Sequence, residues 1–125
     1  MTAKLIAYMK NKRNKGTIGE DVAVEYLKKK GYNILQRNYR FNHGEIDIIA
    51  EDGNVLVFVE VKARRSKKFG EPEDAVTPRK RDKIRATADG YLFENNIDDK
   101  ECRFDVLAIV YECDKVVIRH IIDAF

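Results

Sequence analysis

Between residues 44 and 62 the hydrophobic and polar positions stop alternating. Ile46, Ile48, Ile49 and Ala50 make one apolar run and Val55 to Val61 a second. Asp47 interrupts the first and Glu60 the second, and Lys62 follows. Segments apolar on both faces read as strands inside a sheet. A charge in such a strand is costly unless it is paired or holds a metal ion. Three charges able to meet on one sheet surface mark a site.

The short polar stretch Glu51-Asp52-Gly53-Asn54 joins the two runs as a hairpin, and Asp52-Gly53 is a favoured two-residue turn. That turn sets Asn54 opposite Glu51, Val55 opposite Ala50 and Phe58 opposite Asp47. Side chains alternate along a strand and paired residues share a face, so Glu45, Asp47, Ile49, Leu56, Phe58, Glu60 and Lys62 fall on one surface. Glu60 then lies diagonal to Asp47, roughly 7–8 Å away between backbones, close enough for two carboxylates to converge on one ion. A four-residue turn over 51–54 keeps this pairing. A three-residue turn would put Asp47 on the opposite face.

The remaining pattern predicts the other elements. Thr17-Ile18-Gly19-Glu20 has the form of a capping box opening a helix to about Lys30, with Gly31 as its stop. A short strand at 32–36 and a polar loop at 37–43 lead into the hairpin at 45–63. Thr77-Pro78 caps a second helix over 78–94, whose apolar stripe is Ile84, Ala88, Tyr91 and Leu92. Strands near 103–111 and 115–122 close the chain. Helix, three strands, helix and two strands imply an α/β fold, a mixed sheet flanked by helices. A basic segment at 1–15 precedes a single domain over 16–125, as a solvated tail or an arm lying along a polyanion.

Composition narrows the class. With 125 residues, 44% hydrophobic and 36% charged, the chain suits one soluble domain. The net charge of +3 is mild, so where the charges cluster matters more than their sum. Cys102 and Cys113 form no zinc or disulfide framework, and no apolar run approaches a membrane span or a signal peptide, so a cytoplasmic protein without membrane contact is expected. No serine or cysteine has nucleophile context, and the glycines form no phosphate loop. His43 reads as an exposed loop residue and His120 as a packing residue.

Glu20 has two readings. It is the third helical residue of the capping box, and it also shares the apolar arc of Ala23, Val24 and Leu27, where it would need a partner. Glu45 lies near its strand start, and Lys62 near enough to a strand end to be solvated. Between Arg64 and Arg85 stand Arg64, Arg65, Lys67, Lys68, Arg79, Lys80, Arg81, Lys83 and Arg85, opposed by Glu71, Glu73, Asp74 and Asp82. A cationic strip directly after an acidic hairpin suits a phosphate backbone. Oxygen ligands from Asp47 and Glu60 suit Mg²⁺, with Mn²⁺ able to substitute. Such an ion polarises a phosphoryl oxygen and orients a water, and Lys62 can steady the developing charge. The chemistry expected is metal-assisted phosphodiester hydrolysis.

Asp47 followed by Glu60-Val61-Lys62 resembles the PD-(D/E)XK nuclease superfamily with its restriction-endonuclease-like fold. Gly19-Glu20, Arg37-Asn38-Tyr39-Arg40, Gly44-Glu45-Ile46-Asp47, Phe58-Val59-Glu60-Val61-Lys62 and Arg103-Phe104-Asp105 are similar to the YraN-type family of bacterial endonucleases, related to archaeal Holliday junction resolvases. The resemblance spans the chain from about Gly16. It implies that Asp47 and Glu60 bind the metal, that Lys62 is the catalytic lysine, and that Glu20 is a helix-borne catalytic acid. It implies a DNA substrate, branched or structured, with Lys80 touching substrate or supporting the site. Ile46 stands where the superfamily's name has proline. Symmetric junction cutting would require a homodimer. The rival expectation is a catalytically silent nucleic-acid-binding protein on the same scaffold. Asp105 is expected as a buried salt-bridge partner.

Overall fold

A five-stranded mixed sheet organises the chain, in the order β1-β2-β3-β4-β5. The computed structural model describes residues 15–65, 70–112 and 115–125, with the side chains of 15–18 and 112 left aside. The elements are α1 (Lys15–Lys29), β1 (Asn33–Phe41), β2 (Gly44–Asp52), β3 (Val55–Arg64), a 3₁₀ turn at Pro72–Ala75, α2 (Pro78–Glu94), β4 (Cys102–Glu112) and β5 (Lys115–Ile121). All neighbouring strands are antiparallel except β3 and β4, whose parallel pairing is bridged by α2. This is an α/β fold, consistent with a restriction-endonuclease-like arrangement. No helix among the described residues is long and apolar enough to cross a membrane.

Each face of the sheet carries one helix. Val22, Ala23 and Leu27 of α1 pack on Ile48, Ala50, Val57, Val59, Leu107 and Ile109. Ile84, Ala88 and Tyr91 of α2 pack on Ile49, Leu56, Phe58 and Val106 on the other side. β3, bonded on both edges and covered on both faces, is buried from Leu56 to Val59 as its apolar run demands. The Thr77 hydroxyl caps α2 by accepting from the Lys80 N–H, with Pro78 in the first turn as expected.

Three expectations need correction. α1 is already helical at Lys15, so Thr17 lies inside its first turn and cannot act as the N-cap of a capping box. The loop expected at 37–43 is mostly strand, because β1 continues to Phe41. β1 is an edge strand, and its exposed polar residues mimic a loop pattern. The hairpin turn is Gly53-Asn54, since Asp52 pairs with Val55 and Ile49 with Phe58. Gly53 has φ 59°, a backbone that favours glycine at the first central position of a tight turn. The register is therefore shifted by two residues from the expected one. An even shift leaves the paired side chains from Ile48 to Asp52 on their expected faces, and the ladder ends at Ile48↔Val59, just before Asp47 and Glu60.

Candidate functional site

The candidate site forms where β2 parts from β3. Their ladder runs from Asp52↔Val55 to Ile48↔Val59. One residue further, the side chain of Asp47 takes over: its Oδ2 accepts the Val61 N–H at 2.8 Å. Ile46 packs with the α2-side core and Ile48 with the α1-side core, although residues two apart in a regular strand share a face. The strand thus turns over at Asp47. Its neighbour in β1 turns too, because Asn38 has φ 53° and lies between the pairs Arg37↔Ile48 and Tyr39↔Ile46. Asparagine is among the few side chains that tolerate this left-handed backbone.

Asp47 and Glu60 meet. Burial, then the hydrogen bond and charge of Asp47, push the Glu60 carboxyl up to about 9, while Lys62 and Lys80 pull the other way. Two acids this close favour a shared proton over a doubled negative charge. Lys62 extends from β3 two residues beyond Glu60 and is half-buried. Lys80 approaches from the start of α2, on the far side of the sheet from α1.

Glu20 comes from α1. Gly19 rides so low on β3 that a Cβ there would stand 2.9 Å from Ala63 Cβ, and this close approach brings the next residue to the strand ends. Burial raises the Glu20 carboxyl above its ordinary range and the charge of Asp47 raises it further, while the Asn38 side chain and Arg37 lower it. Arg37 Nη2 lies 3.7 Å from Glu20 and 2.8 Å from Asp21. The inward reading of Glu20 is the one the fold adopts. It flanks the pair without joining it: no three His, Cys, Asp or Glu side chains among the described residues converge as a metal-binding group. Glu45 is exposed and pairs loosely with Arg40 at 3.8 Å.

Two half-sheltered carboxylates beside lysines, the Glu60 carboxyl pushed up by burial and by Asp47, are a hard oxygen donor set. Mg²⁺ typically takes only one or two protein carboxylates and fills its shell with water and phosphate oxygens, so Asp47 and Glu60 fit it without a third acid.

The cationic residues divide. Arg64 and Arg65 are exposed just past Lys62, and Arg79, Lys80 and Lys83 are exposed on the first turns of α2. Lys67 and Lys68 lie outside the described residues, as does nearly all of the basic segment at 1–15. Arg81 and Arg85 stack instead over the Phe125 ring, at 5.5 and 5.1 Å. His43 is exposed in the β1–β2 turn, as expected. Asp105 is the expected buried partner, fully enclosed, bound bidentately by Arg103 at 2.9 and 3.0 Å and by the Asp123 N–H at 3.0 Å. His120 packs against the Tyr26 and Tyr32 rings as expected, and its Nε2 also lies 2.7 Å from Asp105, because β5 folds back beside β4. Sequence reasoning gave no role to Asn38. Its signal was an asparagine among charged residues, the composition of an exposed strand and of a loop alike.

The description "uncharacterised protein family UPF0102" matches residues 19–109, a span containing Glu20, Asp47, Glu60, Lys62 and Asp105. A UPF0102 protein of Syntrophomonas wolfei is 48% identical over 113 residues, covering 90% of this chain and 98% of its own. One from Clostridioides difficile is 48% identical over 115 residues, covering 92% and 99%. One from a Sulfurihydrogenibium species is 52% identical over 99 residues, covering 79% and 86%.

Proposed function

The chain belongs to the uncharacterised protein family UPF0102, the YraN-type family that its motifs resemble, and we propose that it is a divalent-metal-dependent endonuclease acting on DNA. The observation that carries this reading is the meeting of Asp47 and Glu60 at the parting of β2 and β3, with Lys62 on the same strand. Asp47 and Glu60 would hold Mg²⁺ or Mn²⁺. When bound, such an ion supplies charge neutralisation at a phosphodiester and polarises its oxygens.

The chain's own groups supply the rest. Val61 N–H fixes one Asp47 oxygen, so the other is left to turn toward Glu60. Lys62 offers a positive charge beside the oxygen that attacks phosphorus. Lys80 acts on Glu60, and it and the exposed Arg64, Arg65, Arg79 and Lys83, which follow Lys62 or flank Lys80 along the chain, would supply backbone contacts that do not read sequence. Branched or structured DNA is the finer version of the substrate, and symmetric incision of a junction would require two copies of the chain.

Incubation with linear, single-stranded and branched DNA in Mg²⁺ or Mn²⁺ tests the reading. Cutting that disappears in Asp47→Asn, and on chelation, supports it. DNA binding without cutting under every condition would leave a binding protein on this scaffold and overturn the nuclease assignment.

A further inference from the structure

The β1–β2 turn carries a side chain that the fold itself does not need. Phe41 pairs with Gly44, so Asn42 and His43 are the two central residues, with φ 46° and 67°. Two left-handed residues in a row suit an asparagine followed by glycine, and His43 stands where the glycine belongs. It is exposed and so returns little packing for the backbone cost. An uncommon conformation kept at an exposed tip points to a task outside the fold.

The turn is pinned to α2. A Cβ at Gly44 would collide with the Thr87 hydroxyl, and one at Gly90 with the Phe41 ring. Thr87 donates to the Lys83 carbonyl at 2.9 Å, one helical turn nearer the start of α2. Lys83 and Arg79 stand four and eight residues before Thr87, so this exposed basic column of α2 leads to the turn. Arg40 continues it. Its side chain is 79% exposed and only loosely paired with Glu45 at 3.8 Å, a contact that a phosphate readily replaces. Arg40 and His43 line one concavity of about 560 Å³. From Gly44 the strand runs three residues to Asp47. That is roughly 10 Å at a strand's rise, or about three nucleotide steps of one DNA strand.

We propose that the β1–β2 turn is a second DNA-docking surface, Arg40 and His43 gripping the sugar–phosphate backbone a few nucleotides from Asp47 and Glu60. This rests on the DNA-cutting reading above and adds contacts outside the strip from Arg64 to Arg85. Arg40 supplies charge and His43 a ring N–H. Because the turn is braced on α2, the loop needs little further ordering when DNA arrives. Contacts of this kind position DNA without reading its sequence.

His43→Gly gives the turn its favoured residue and deletes the ring, so stability and binding should move apart. Binding of a labelled linear duplex is measured by fluorescence anisotropy over a salt series, in EDTA and again in Ca²⁺. Urea unfolding and Mn²⁺ calorimetry accompany each variant. The log–log salt slope should be smaller by ~0.9 in Arg40→Ala. His43→Gly should bind the duplex about 5- to 10-fold more weakly while its urea midpoint equals or exceeds the parent's. Mn²⁺ affinity should be parental in both variants. Parental duplex affinity in either folded variant, with the slope still reduced in Arg79→Ala with Lys83→Ala, would overturn the proposal and leave DNA binding on α2 standing. A lowered urea midpoint in His43→Gly would assign the ring to the fold and overturn it too. A parent chain that binds no duplex in either condition would overturn both readings.

Discussion

Asp47 Oδ2 receives the main-chain N–H of Val61 at 2.8 Å, so a site acid also finishes a strand ladder. The two duties separate by substitution. Asp47→Ala leaves a sheltered N–H unpaired and is expected to lower stability by about 1–3 kcal/mol. Asp47→Asn keeps an accepting oxygen and removes the charge facing Glu60, so its urea midpoint should equal or exceed the parent's while metal binding is lost. A destabilised Asp47→Asn would refute this separation.

Glu60 ties stability to pH. Burial and Asp47 raise its carboxyl from 4.5 to about 9, so between those values the folded chain binds more proton than the unfolded chain. Its stabilising contribution is complete below the ordinary value and vanishes as pH climbs through about 9. The metal-free protein should therefore lose stability on alkalinisation, and Glu60→Gln should flatten the profile. Because the ion must displace that proton, Mn²⁺ affinity should rise by up to about tenfold per pH unit within the window.

Gly19 sets how closely α1 sits on the sheet. Alanine favours a helix by about 1 kcal/mol over glycine, yet its Cβ would meet Ala63 Cβ, and neither atom can swing aside. Gly19→Ala should destabilise by about 1–3 kcal/mol through overpacking. Adding Ala63→Gly should recover much of the loss, as read from unfolding midpoints.

Asp105 anchors β4 and β5. Burial alone would raise its carboxyl, but the bonds from His120, Arg103 and the Asp123 N–H hold it below its ordinary value. Its contribution is present above that value and lost as pH falls through the lowered one. Asp105→Ala strands a buried guanidinium and should cost about 3–5 kcal/mol by denaturant titration. Mn²⁺ affinity of whatever folded fraction remains should be near parental.

If DNA lies against the exposed first turns of α2, as proposed, its binding should depend on salt. Arg79→Ala with Lys83→Ala should reduce the log–log salt slope of DNA binding by ~1.8 if both meet phosphates, ~0.9 for each. An unchanged slope would place the DNA elsewhere.

The sequence carried much of this arrangement because burial on both faces is written in composition. The run from Val55 to Val61 could only be an inner strand, and the acids within it had to be accounted for. The turn was less legible: Asp52-Gly53 and Gly53-Asn54 both suit a tight hairpin, and the choice depends on which pairing fills the two cores best. Asp47 and Glu60 still come together despite that ambiguity, because a two-residue slip preserves facing up to Ile48↔Val59 and the Asp47 side chain then bonds the Val61 N–H. β1 was half missed since an exposed edge strand lacks the apolar pattern that betrays a buried one. Asn38 and the link from His120 to Asp105 depend on backbone turns and strand return, which no local pattern encodes.

β3 has one neighbour two residues away by hairpin and another that arrives only after the crossover through α2. An early hairpin would leave its acids bathed in water, where like charges barely disturb each other. The electrostatic strain arises only when β4 and the helices close over them. Loading with a cation should therefore slow unfolding more than it accelerates refolding, making the ion a late latch on the finished domain and not a seed for its formation.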